Sequence, residues 1–146
     1  MNTPTTVVGR QRRMPAESVI RAHWAPILWE RKGYMSAEDF KGETGCCFAC
    51  GYAWGGAKAL ERAHLMAVCV GGSDDVSNLH MLCHECHKAS EHLTTGRPED
   101  LERYWKWFYA RTPCDVAVTL LVNHGYSFTQ VLGLHPDLSR FYGCPA

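Results

Sequence analysis

An α+β domain is what the sequence predicts: two short antiparallel strands and a helix clamped by a four-cysteine site, with further helices before and after them. Three observations predict it. Two Cys-x-x-Cys knuckles, Cys47-Phe-Ala-Cys50 and Cys83-His84-Glu85-Cys86, flank a strand–loop–strand pattern. Apolar residues recur at helical spacing before the first knuckle and after the second. The 146 residues, 46% hydrophobic and 21% charged, suffice for one modest core and are too few for a multidomain machine. Residues 1–146 are therefore read as a single domain with its core at 47–92, a basic helical arm at 1–45 and a helical extension at 93–146.

The elements follow in order. Met1 to Gln11 carries Pro, Thr and Gly without periodicity. Pro15, followed by Val19, Ile20, His23, Trp24, Ile27 and Leu28, reads as a helix opened by its proline and ending near Gly33, with Pro26 expected to kink or divide it. Ser36 with Asp39 three residues on marks a short capped turn. Ala59 to Ala67 reads as a strand, Cys69 to Ser77 as a glycine-bearing loop, and Leu79 to Leu82 as a second strand. Helices are expected over Cys86 to Leu93, Glu99 to Arg111, Asp115 to Asn123 and Ser127 to Leu134. The aromatics of the second of these, Tyr104, Trp105, Trp107, Phe108 and Tyr109, are expected to pack the core rather than to stack bases.

Fifteen basic and fifteen acidic residues cancel, so a polyanionic partner must be held by a local patch. No apolar run approaches the roughly 20 residues of a membrane helix. The polar, then basic, stretch Met1 to Arg13 lacks the apolar core of a secretory signal, and a reducing cytoplasm is the expected compartment. In that setting the grouping of the eight cysteines reads as metal-ligand spacing rather than as a disulfide framework. Cys47, Cys50, Cys83 and Cys86 can close a tetrahedron around a structural zinc ion. Cys46 competes with Cys47, but the tighter knuckle followed by Gly51 favours Cys47; Cys69, Cys114 and Cys144 read as small buried hydrophobes or bystanders.

Between the knuckles stand Glu61-Arg62-Ala63-His64-Leu65, then Gly71-Gly72-Ser73-Asp74-Asp75-Val76-Ser77-Asn78-Leu79, then Leu82-Cys83-His84-Glu85-Cys86-His87. This stretch closely resembles the motif of the HNH endonucleases, the His-Me finger or ββα-metal nucleases, over about Cys47 to His92. The resemblance implies a metal-dependent DNA endonuclease. His64 would be the general base, Asn78 the residue that ties the loop back and fixes the base, and His87 a ligand for a catalytic divalent ion. Histidine suits the first role because its ordinary pKa of about 6.5 lies near neutrality. Magnesium is the default ion, with nickel, manganese or zinc also compatible with imidazole. Products with 5′ phosphate and 3′ hydroxyl are implied.

One departure stands out. Many family members carry an Asp or His ligand immediately before the base, where this chain has Ala63. Either His87 holds the ion with phosphate and water, or Glu91 or His92 assists; Glu91, four residues after His87 on the same helical face, is preferred. Glu61 shares the strand face of Ala63 and is a weaker candidate for direct ligation. The alternative is a non-catalytic zinc module that binds DNA or protein through a degenerate site.

For DNA, the basic arm Arg10, Arg12 and Arg13, extended by Arg21, Arg31 and Lys32, offers a candidate phosphate surface, while Lys58, Arg62 and Lys88 lie nearer the module. A double-strand break by a module that cuts one strand needs a homodimer or two nicks.

Overall fold

The computed structural model describes residues 13–51, 60–94, 96–127 and 130. Arg10, Arg12, Lys58 and most of the helix expected at Ser127 to Leu134 lie outside the described residues. Helices α1 (Glu17–Leu28) and α2 (Ala37–Gly42) precede strand β1 (Leu60–His64). A loop with two one-turn 3-10 segments, Val68–Val70 and Val76–Asn78, leads to β2 (Leu79–Cys83). That strand runs directly into α3 (His84–Ser90), followed by α4 (Pro98–Ala110) and α5 (Pro113–Asn123).

The strands pair antiparallel, with Leu60 opposite Cys83, Ala63 opposite His80 and His64 opposite Leu79. β1 ends earlier than the apolar pattern to Ala67 predicts. Past His64, the side chain of Asn78 takes up both backbone groups of Met66, substituting for ladder partners. The loop then folds back tightly: the Gly72 amide donates to the Ala67 carbonyl at 3.0 Å, and a Cβ at Gly72 would sit 1.8 Å from the Met66 carbonyl oxygen. Only glycine fits there.

Local chemistry sets the helix starts. Ser36 Oγ accepts from the Asp39 amide at 3.1 Å, as its spacing predicts. Asp100 and Asp115 reach back to the Arg97 and Thr112 amides at 3.1 and 2.7 Å, and Pro98 and Pro113 occupy the first turns of α4 and α5. Pro26 does not divide α1, which continues to Leu28. It stands in the last turn, so the one carbonyl deprived of a partner is that of Ala22, an exposed residue within reach of water.

The core joins α1, β2 and α4. Trp24 Nε1 donates to the Leu79 and Val76 carbonyls at 2.7 and 2.9 Å, pinning α1 to the start of β2. His80 is fully buried on that strand. Its ring lies 4.6–5.7 Å, centroid to centroid, from those of Trp24, Phe48, Tyr104, Trp105 and Phe108. The aromatics of α4 therefore serve packing, as expected of a helix so rich in them. His80 Nδ1 pairs with the Tyr104 hydroxyl at 2.7 Å, and burial pushes its imidazole down to about 3.

Two cations expected on a phosphate surface are structural instead. Arg21 is completely buried: its guanidinium donates to Glu17 at 2.9 Å, to the Cys46 carbonyl at 2.6 Å and to the Phe40 carbonyl at 3.4 Å. It lies 5.0 Å from the Phe48 ring centroid, so one side chain braces α1, α2 and the first knuckle. Lys32 donates to the Ala49 carbonyl at 2.7 Å and to that of Phe108, and burial lowers its ammonium to about 8. Sequence charge alone does not separate such buried struts from a solvated basic face.

Candidate active site and metal centre

Both knuckles converge. The sulfurs of Cys47, Cys50, Cys83 and Cys86, all buried, lie within 4.8 Å of one another, and Cys50 Sγ is 4.0 Å from Cys83 Sγ. A tetrahedral ion bound to thiolates at about 2.3 Å would separate its sulfurs by about 3.8 Å, so the cluster has the dimensions of a four-thiolate site. Cys46 stays outside the cluster, its thiol 3.7 Å from Glu43, as the tighter-knuckle reading requires. Cys69 is exposed, not buried. Burial pushes the Cys47 thiol up, yet hydrogen bonds from Cys50, Cys83 and Cys86 outweigh it and hold that thiol well below its ordinary range. The same contacts with Cys47 push Cys50 and Cys86 up. Four thiolates at this separation need a cation among them. Arg111 Nε donates to Cys86 Sγ at 3.4 Å, adding positive charge from outside.

His64 ends β1 and His87 stands on α3, one residue after the ligand-positioned Cys86. They line one cavity of about 290 Å³, together with Ala67, Val68, Ser90, Glu91 and Thr94. Among the described residues, Glu91 is the single carboxylate on this lining. His64 Nε2 is 2.8 Å from Asp74 Oδ1, and His87 Nδ1 is 2.5 Å from Glu61 Oε2. The other oxygen of Glu61 meets His84 Nδ1 at 3.0 Å. Burial pushes the Glu61 carboxyl up, but the hydrogen bonds from His87 and His84 outweigh it and hold the group below the usual carboxylate range.

Asn78 is not on the cavity lining. Its Oδ1 accepts from the Met66 amide at 2.9 Å, and its Nδ2 donates to the Met66 and Ser73 carbonyls at 2.9 and 2.8 Å. Three bonds thus close the loop whose next residue, Asp74, meets His64.

These HNH positions fall within a single recognisable unit. Residues 47–92 match the HNH endonuclease family. No curated protein and no solved structure matches the chain. The HNH match spans both knuckles, both strands and α3, so the four-cysteine cluster is integral to the module. Ala63, at the position before the HNH histidine, is fully buried opposite His80 and faces the core rather than the cavity.

The basic residues divide. Lys88 does not line the His64–His87 cavity; it lines a neighbouring groove of about 420 Å³ with His84, His92 and Arg111 on the other side of α3. Arg62 is exposed, with its Nε donating to the Pro15 carbonyl at 2.6 Å. Arg13 is exposed. Among the described residues no helix is long and apolar enough to cross a membrane.

Sequence reasoning missed Asp74 entirely and weighed Glu61 only as a ligand. The available signals were an acid in the loop between the HNH histidine and asparagine, and an acid three residues before His64.

Proposed function

We propose that the protein is a DNA endonuclease that hydrolyses phosphodiester bonds with His64 as general base, its HNH module clamped by one structural zinc ion at Cys47, Cys50, Cys83 and Cys86. The observation that carries this reading is the shared cavity of His64 and His87 inside the segment that matches the HNH family. Asp74 accepts from the Nε2–H of His64, which leaves Nδ1 to take a proton from the attacking water. The ion pair that forms when His64 is protonated stabilises the imidazolium. Asn78 keeps Asp74 in place by holding the loop at Ser73.

His87, with Glu91 on the same lining, fits the donor set of a catalytic divalent cation, magnesium or a similar ion; when bound, such an ion supplies charge neutralisation at the phosphate. As water adds to phosphorus and gives its proton to His64, the bond to the 3′ oxygen breaks and that oxygen takes a proton from solvent water, leaving 5′ phosphate and 3′ hydroxyl ends. Lys88 and Arg111 in the adjoining groove supply the phosphate contacts that the neutral chain as a whole does not.

Supercoiled plasmid cleavage tests this, with magnesium, manganese and nickel tried separately. The wild type should nick the plasmid, and His64→Ala, folded and with the same zinc content, should be at least a hundredfold slower. Absence of cutting by the wild type with every metal, or equal cutting by the variant, would refute the assignment.

A further inference from the structure

The HNH module of this chain lacks a carboxylate immediately before its histidine, yet a carboxylate from the same strand reaches the helix that carries His87. Glu61 lies two residues before Ala63, on the same strand face. His84 and His87 stand three residues apart, on one side of the first turn of α3, and both rings meet Glu61, at 3.0 and 2.5 Å. Glu61 is absent from the lining of the His64–His87 cavity, whereas His87 is part of it. The carboxylate therefore grips His87 from behind, through Nδ1, and Nε2 is the nitrogen left to act in the cavity.

We propose that Glu61 is a positioning residue: it fixes His87 as the Nδ1–H tautomer and aims the Nε2 lone pair into the cavity, where it can bind a divalent cation. The inference rests on the nuclease reading for the purpose of the cavity, but its geometry does not. A carboxylate that accepts from one nitrogen of a ligating imidazole locks the ring and strengthens the other nitrogen as a donor to metal. Ala63 cannot do this, because its side chain is buried in the core and carries no acceptor. His84 shares the carboxylate but is 61% exposed, where water can replace its hydrogen bond. Since the Glu61 side chain is itself 41% exposed, its replacement leaves the core intact.

The test uses the full zinc-loaded chain as wild type, Glu61→Ala, Glu61→Gln and His84→Ala. Long-range proton–nitrogen NMR at pH 8 reads the tautomer of His87, and calorimetry with manganese reads cation affinity without DNA. The wild type should show the Nδ1–H form. Glu61→Ala should lose that preference and bind manganese about 10–100-fold more weakly, the range for removing such a partner. Glu61→Gln, which keeps an oxygen acceptor, should recover much of the loss, and His84→Ala should bind within twofold of wild type. An unchanged tautomer or unchanged affinity in Glu61→Ala would overturn the proposal, as would a wild type that does not bind manganese. A Glu61→Gln protein as weak as Glu61→Ala would also overturn it, making Glu61 a direct ligand. Failure of the nuclease reading has a different signature: these shifts would appear in a protein that never cuts DNA.

Discussion

Replacing Asn78 tests the loop that carries Asp74. The side chain makes one accepting and two donating hydrogen bonds, at 2.9, 2.9 and 2.8 Å, to backbone groups of Met66 and Ser73. Each such bond contributes about 0.5–1.5 kcal/mol net, and the Ser73 bond is exposed enough for water to replace it. Asn78→Ala should therefore cost about 2 kcal/mol. Asn78→Asp discriminates further. One carboxylate oxygen can still accept from the Met66 amide, but the other would face two carbonyl oxygens with no proton between them. Asn78→Asp should thus be at least as destabilised as Asn78→Ala, despite being the closer isostere. Urea denaturation at a fixed excess of zinc, with amide exchange of Met66 as local readout, measures both. An Asn78→Asp protein within about 0.5 kcal/mol of wild type, with Met66 still protected, would refute the donor assignment and the loop-closing role.

Cys83→Ser should release the zinc ion and cost several kcal/mol of stability, the scale expected of a structural zinc site; a protein that keeps its metal and its melting temperature would exclude that ligand set. Acid should destabilise the fold through His80, whose imidazole is held down to about 3 against an ordinary 6.5. The unfolded chain binds this proton at a pH where the native state does not. Stability is therefore complete above about pH 6.5 and falls by up to about 1.4 kcal/mol per pH unit below it. His80→Gln should flatten the slope between pH 7 and 5, measured where metal analysis shows zinc retained; an identical slope would place the acid sensitivity elsewhere. In a His64→Ala background that does not cut, Lys88→Glu should weaken DNA binding and reduce the salt dependence by about one ion. Unchanged affinity across salt would remove the groove from the DNA path.

The strand–loop–strand–helix order and the four ligand positions were legible because they rest on local rules: thiolates in tight knuckles and two short strands bounding a glycine-bearing loop. What escaped the sequence was direction. Arg21 and Lys32 read as a basic face, but tertiary contacts turn both inward onto backbone carbonyls. His80 stood in a run of histidines with nothing to separate it from His84, yet register places one in the aromatic core and the other at the surface. Asp74 was one of two adjacent loop acids, and only the folding back of the loop at Gly72 brings it to His64. Composition and spacing identify which chemistry a segment offers; pairing across the chain decides which atom of each ring is left to perform it.

That division gives the cysteine cluster a role beyond stability. Cys83 ends β2, Cys86 sits in the first turn of α3, and His87 is the next residue. The partners Cys47 and Cys50 belong to a knuckle held on β2 by the Phe48 amide, which donates to the Met81 carbonyl at 2.9 Å. An ion at the cluster would therefore fix the start of α3 relative to the strand pair, and so the separation of His87 from both Glu61 and His64. A helix of 7 residues has little stability of its own to do this. On this argument metal loss should damage the cavity before it unfolds the chain: the Glu61–His87 contact should loosen while α1 remains docked through Trp24 and the His80 cage stays packed. Chelator titration followed by NMR would show that order, and simultaneous loss of the His87 and Trp24 signals would show instead that the cluster supports the whole fold as one cooperative unit.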